Sequence, residues 1–309
     1  MMDNRLVVDA GCTGDNRVWD PAQESNAIRG EMALKIDLMD ALGIAQAAAQ
    51  NAGEILLAMQ GTAQVHHKDA KDLVTDADLA AQKAICKAIF EAFPDHGFLG
   101  EEGSAGMFEA QELNNANSDY QWVVDPLDGT TNYAHGFPQY AVSIALTFQR
   151  LPVLGVIYDP VSKEMFWAVE GHGAWLNDRR ISVSHQTELS KALVAVGLAP
   201  NLSRDSSELR SLIHLLLESQ AVRRLGSAAL NLCYVACGRL DGFWASSLKL
   251  WDIAAGVLIV REAGGVVSDI KGQDSQALGG ALIAASTRHL QNRIGIALQN
   301  PPDDSPTGA

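Results

Sequence analysis

Residues 122–132 read WVVDPLDGTTN. An apolar run, Trp122 to Val124, passes straight into Asp125 and Asp128, and a glycine and two threonines follow at once. Pro126 restricts the backbone beside Asp125, so the two carboxylates are expected to point into one small volume. Carboxylates held that close raise each other's pKa unless a cation neutralises them. Cysteine and histidine are absent from the stretch, so the ion expected is a hard one, Mg²⁺ rather than zinc. Gly129, Thr130 and Thr131 are placed to present successive backbone N–H groups to an anion at a helix start. Carboxylates for a cation beside amides for an anion make a phosphate–metal site.

The chain around this stretch has 309 residues, which suits one large α/β unit or two intimate subdomains. Hydrophobic residues make up 47%, enough for a sizeable core. No apolar run approaches the roughly 20 residues of a membrane span. Acidic residues outnumber basic ones 37 to 23, for a net charge of −14. That balance argues against nucleic acid or an anionic membrane as partner. An anionic small substrate stays open, provided a metal inverts the local sign. Cys12, Cys86, Cys233 and Cys237 form no C-x-x-C pair and read as buried structural thiols. The first residues lack both a basic n-region and a continuous apolar h-region, so no secretory signal is read there. A reducing, cytoplasmic location is expected.

Periodicity divides the chain. Residues 1–34 carry turn formers without a clear period and read as an extension; 301–309 read as a tail. Between them, 35–185 reads as an α+β metal-binding subdomain and 186–300 as an α/β subdomain that completes the site. Helical spacing covers about 35–59 and 78–93, the second helix with Asp78 as its N-cap and Pro94 closing it. Strand-like runs at 121–125, 140–148, 153–158, 164–169 and 181–183 suggest an antiparallel meander. Strands at 192–199, 221–226, 241–246 and 279–286 then alternate with helices at 205–219, 227–238 and 252–263 and a closing helix.

Three further stretches carry acid beyond the needs of a core: KDAKDLVTDAD (68–78), GFLGEEGSAG (97–106) and LKLWDIAAG (248–256). Taken singly, Glu101–Glu102 reads as a solvated loop and Asp252 as a helix cap. His66 and His67 read as solvated, and His135 is the histidine expected nearest the site.

Taken together, DPLDGTTNYAHGFP, GEEGS, DLVTDAD and WDIAAG…EAGG resemble the inositol monophosphatase family of Mg²⁺-dependent, lithium-sensitive phosphatases, in the right order over roughly residues 35–300. The resemblance implies a layered αβαβα sandwich, a homodimer, and hydrolysis of small-molecule phosphate monoesters with two to three Mg²⁺ ions. It implies Glu101, Asp125 and the Leu127 carbonyl as ligands of one ion, with Asp125, Asp128 and Asp252 serving a second. A third ion would lean on Glu101 through water. Thr130, steadied by Asp78, would orient the attacking water, and Glu101 joins them as a catalytic group. Lys68 falls near a family lysine. Asp128, Gly129, Thr130, Thr131, Gly226, Ser227 and Ala228 would face substrate. Ala245 stands seven residues before Asp252, where inositol-type members carry a hydroxyl-binding glutamate. The same chemistry on histidinol phosphate, fructose 1,6-bisphosphate or a 3′-phosphoadenosine nucleotide is the enzymatic alternative. A catalytically silent metal-binding regulatory protein is the non-enzymatic one.

Overall fold

Alanine sets the geometry of the first helix. In α1 (Leu38–Met59) the buried face is Ala41, Ala45, Ala48, Ala49 and Ala52, with Leu42 and Leu56 at its ends. Such small side chains let a helix lie close on a sheet. Gly53 brings it closer still, since a Cβ there would stand 2.7 Å from the Tyr158 ring.

The computed structural model describes residues 36–69, 72–103, 118–199, 201–274 and 279–299. The expected N-terminal extension and C-terminal tail lie outside these residues. Contacts divide the chain into Met1–Asp37 and Leu38–Ala309, and every element named below belongs to the second unit.

After α1 come a hairpin of β1 (Val65–Asp69) and β2 (Asp72–Thr75), then α2 (Asp76–Ala92). There follow β3 (Gly97–Gly100), β4 (Tyr120–Asp128) and the short α3 (Thr130–Ala134). The meander is β5 (Ala141–Phe148), β6 (Leu151–Asp159), β7 (Glu164–Val169), β8 (Ala174–Leu176) and β9 (Arg179–Ile181). Beyond a 3₁₀ turn at Leu189–Lys191 lie β10 (Leu193–Gly197), α4 (Ser207–Glu218), β11 (Ala221–Arg223) and α5 (Ala228–Ala236). The chain continues through β12 (Gly242–Leu248), α6 (Leu250–Glu262), β13 (Val266–Ser268), β14 (Gly280–Ala285) and α7 (Arg288–Gln299).

Strands β3 to β9 form one sheet in sequential order, antiparallel except for the parallel β3–β4 pair. The second sheet has the order β11-β10-β12-β14-β13, with β10 parallel to both its neighbours. Helices α1 and α2 cover one face of the large sheet, α5 and α6 fill the space between the sheets, and α4 and α7 close the outside. The result is the αβαβα sandwich. All eight residues of β5 are buried because helices cover both faces of its sheet.

Packing against the large sheet fixes α6 closely. A Cβ on Gly155 of β6 would stand 2.8 Å from the Ala255 carbonyl oxygen, so only glycine admits the helix at this height. Behind α6, Gly256 takes Leu232 of α5 in the same way.

Two local expectations are corrected. Asp78 is not the N-cap of α2: Thr75 holds that position and accepts from the Ala77 N–H, while Asp78, at the third helical position, accepts from the Thr75 N–H at 2.8 Å. The helix signal at Asp78 was a capping box seen from its far end. The run 181–183 contributes only Ile181 to a strand, and Val183 instead turns its N–H to the Ala263 carbonyl.

Candidate active site

The large sheet delivers its acids at the carboxyl end of β4. Asp125 pairs with Ser143 and Asp128 with Ala141, and the ladder slips between them at Pro126–Leu127, which has no spare N–H at the proline. Gly129 then adopts a left-handed φ of 98°, and a Cβ there would stand 2.9 Å from the Gln139 carbonyl. This turn starts α3 and places Thr130 beside the aspartates.

Each carboxylate is held by a backbone amide. Asp125 accepts from the Leu127 N–H at 3.0 Å. Asp128 accepts from the Ser227 hydroxyl and the Ala229 N–H, both at 2.6 Å, at the start of α5. Asp252 occupies the third position of α6 and accepts from the Lys249 N–H at 2.8 Å. Asp78 repeats that arrangement on α2. Three of the four carboxylates therefore lie at helix N-termini, where exposed N–H groups favour negative charge.

Glu101 reaches the same place from the end of β3. The Gln82 side chain accepts from the Glu102 N–H and donates to the Gly103 carbonyl, which fixes the loop. Glu101 turns into the cavity while Glu102 turns away, and Lys68 donates to both, at 3.0 and 2.7 Å. The expectation of a solvated Glu101–Glu102 loop fails at Glu102, whose side chain is 5% exposed.

Glu101, Asp125, Asp128 and Asp252 line one cavity of about 220 Å³, together with Leu127, Gly129 and Thr130 and with Gly226, Ser227 and Ala228 from the other half of the chain. Thr131 is exposed outside it, and Lys68 touches it only through Glu101. Asp78 stands behind Thr130, 3.3 Å from its hydroxyl. Ala245 is fully buried with Phe243 in the core between the sheets and forms no part of the cavity wall. His135 is exposed at the end of α3 and does not line the cavity, while His66 pairs with Asp76 at 2.9 Å.

Crowding shows in the proton affinities. Burial first, then the charges of Glu101, Asp128 and Asp252, push Asp125 well above the carboxylate range, and it shares a hydrogen bond with Glu101. Burial also raises Asp128 to about 6 and Asp252 to about 7, against the lowering effect of their amide donors. Asp78 rises to about 6, again chiefly through burial.

The donor set fits hard divalent cations. It offers carboxylate oxygens and the Leu127 carbonyl, each aspartate has one oxygen already fixed by the fold, and a bound ion would offset the burial, and the lesser mutual repulsion, that raise these groups. Among the described residues no three histidine, cysteine or acidic side chains are already drawn around one point. Lys68 donates to Glu101 at 3.0 Å, so one oxygen of that carboxylate is engaged by a cation of the chain itself.

Residues 37–301 match the model of the inositol monophosphatase family. The chain belongs to this family. It is 41% identical to inositol monophosphatase 1 of Solanum lycopersicum over 87% of this chain and 98% of the relative. A Nus factor SuhB from Xylella fastidiosa is 43% identical over 76% of this chain and 84% of its own length. Among solved structures, inositol monophosphatase from Anabaena sp. superposes with a TM-score of 0.76 at 37% identity, covering 87% of this chain and 99% of the other. As a member of the inositol monophosphatase family the protein is a phosphomonoesterase.

Beyond the family motifs, the cavity wall includes residues the sequence did not mark. Exposed Arg224 and buried Asn231 both line it, with Val196, Leu198, Phe243, Ser247 and Leu248. The strand expected at 221–226 is shorter, since β11 ends at Arg223 and leaves Arg224 beyond it. A basic residue one place before the Leu225–Gly226 turn was the available signal.

Proposed function

We propose that the protein is a Mg²⁺-dependent phosphomonoesterase of small polyol or sugar phosphates, binding two to three ions. The observation that carries the reading is the convergence of Glu101, Asp125, Asp128 and Asp252 with Gly129 and Thr130 on a single small cavity. Glu101, Asp125 and the Leu127 carbonyl would hold one ion, and Asp125, Asp128 and Asp252 a second. Mg²⁺, when bound, supplies Lewis-acid charge that acidifies water and neutralises the phosphoryl and leaving-group oxygens.

The chain's own groups then do the positioning. The Thr130 hydroxyl gives its proton to the Leu127 carbonyl or to Asp78, at 3.0 and 3.3 Å, which leaves its lone pairs to accept from the attacking water. Glu101 takes the proton the water loses. The amides that begin α3 receive the phosphate oxygens, and attack proceeds in line without a phosphoenzyme. Ser227, at the N-cap of α5, fixes Asp128 on the far wall. The described residues include no helix long and apolar enough to cross a membrane. We read the working form as a homodimer, which sedimentation would check.

Phosphate release from inositol 1-phosphate and glycerol 2-phosphate is expected only with Mg²⁺, and Li⁺ is expected to inhibit it. Hydrolysis that continues unchanged in excess chelator, or no hydrolysis of any phosphomonoester, would overturn the reading.

A further inference from the structure

The cavity is lined by side chains of both signs: Glu101, Asp125, Asp128 and Asp252 and, as the one cation among the described residues of its wall, Arg224. Arg224 is exposed and makes no ion pair or hydrogen bond among the described residues. Arginine presents a planar fork suited to carboxylate or phosphate oxygens. On the same cavity, Asn231 is 1% exposed and its side-chain Oδ1 has no hydrogen-bond partner among the described residues. A buried acceptor without a donor is unfavourable, so Asn231 Oδ1 is open to a donor that enters the cavity, a water or a substrate hydroxyl.

Ala245 stands behind this wall, its methyl group buried beside Gly197 and Phe243, and offers nothing to a hydroxyl. Nearby, Ser246 is occupied in accepting from the Ala199 N–H. Apart from the metal-site residues, the wall includes Val196, Gly197, Leu198, Phe243 and Leu248 with the hydroxyls of Ser227 and Ser247, one unpaired cation and one orphaned acceptor.

We propose that Arg224 is a specificity-determining residue that binds a second anionic group on the alcohol half of the substrate. The preferred esters are then phosphomonoesters whose alcohol carries a carboxylate or a further phosphate, with a free hydroxyl to meet Asn231. The inference rests on the phosphomonoesterase reading and deepens it. The metal site takes the scissile phosphate, and Arg224 takes the charge at the other end of the molecule.

Two matched pairs test it: 2-phosphoglycerate against glycerol 2-phosphate, and fructose 1,6-bisphosphate against fructose 1-phosphate. Within each pair the esters differ by one anionic group, and the second pair extends the reach. In the Mg²⁺-loaded protein, R224Q is expected to lose roughly tenfold more kcat/KM on the doubly anionic ester than on its partner in at least one pair, the exposed position limiting the effect. The loss should fall on KM, R224K should recover part of it, and high salt should shrink it. Inhibition by inorganic phosphate reports separately on the scissile-phosphate subsite. Equal losses on both members of both pairs, with weakened phosphate inhibition, would place Arg224 on the scissile phosphate and overturn the proposal. So would R224Q kinetics matching the parent on every ester. An unaltered melting temperature for R224Q shows that the variant is folded. A chain that hydrolyses none of the four esters refutes the phosphomonoesterase reading instead.

Discussion

The hydroxyl of Thr130 stands 3.3 Å from Oδ1 of Asp78, a carboxylate 52 residues earlier in the chain. Oδ2 of the same carboxylate already binds both the N–H and the hydroxyl of Thr75. One aspartate thus joins the start of α2 to the start of α3, and with the Leu127 carbonyl, 3.0 Å away, it gives the Thr130 proton two acceptors inside the fold.

Thr130→Ala is expected to lower kcat with little change in bound metal, since the hydroxyl orients water and holds no ion. Asp78→Asn should give a similar defect, and the double variant little more than either alone, because the two act as one unit. Strict additivity in kcat, measured alongside the metal content of each variant, would count against that unit.

Asp125→Asn should reduce turnover more than any other single substitution, by roughly a thousandfold, because one carboxylate serves two ions. Glu102→Gln should matter far less, since Glu102 is turned away from the cavity toward Lys68. A Glu102 variant as inactive as the Asp125 variant would show that the roles of the two glutamates had been exchanged.

Removing the ions should make stability fall with rising pH. Asp78 and Asp128 titrate at about 6 and Asp252 at about 7, all above the ordinary 3.8, with burial the first cause in each. These groups bind protons more tightly folded than unfolded. Their contribution is therefore complete below about pH 4 and is lost as pH rises through 6 to 7. In chelator the melting temperature should drop across that window. Excess Mg²⁺ should restore more at about pH 7.5 than at about pH 5, where protons compete for the same oxygens. Equal Mg²⁺-induced shifts at both pH values would contradict the assignment.

Ala245 lies directly behind Gly197 of the cavity wall, so Ala245→Glu, with a side chain long enough to pass Gly197, should improve kcat/KM for inositol 1-phosphate by roughly ten- to a hundredfold if the new carboxylate accepts from ring hydroxyls. Glycerol 2-phosphate, with fewer hydroxyls, should gain less. Steady-state kinetics of both proteins on both esters decides it, and a parent enzyme already strongly selective for the inositol ester sinks the idea. Because position 245 is fully buried, the variant's melting temperature must be followed as well.

What could be read in advance follows from how signals are carried. The helices and the meander were legible because burial repeats at 3.6 or 2 residues along them. The hairpin β1–β2 was not, since VHHKD and DLVT are short and largely polar. The acids of the site could be named one by one from their motifs. Arg224 and Asn231 could not, because each owes its place in the cavity to where β11 and α5 dock rather than to its neighbours in the chain. Glu102 misled for the same reason: its burial comes from Lys68, 34 residues away.

Gly155 has a further consequence. It lies under Ala255, one helical turn beyond Asp252, and a single added methyl group would meet backbone there at 2.8 Å. The missing side chain works as a spacer of zero thickness between sheet and helix. Asp125 and Asp128 ride on the sheet and Asp252 on the helix, so the gap across which these carboxylates face one another is set by an atom that is not present. Tuning of the cavity's width can therefore be inherited at a position that touches neither ion nor substrate.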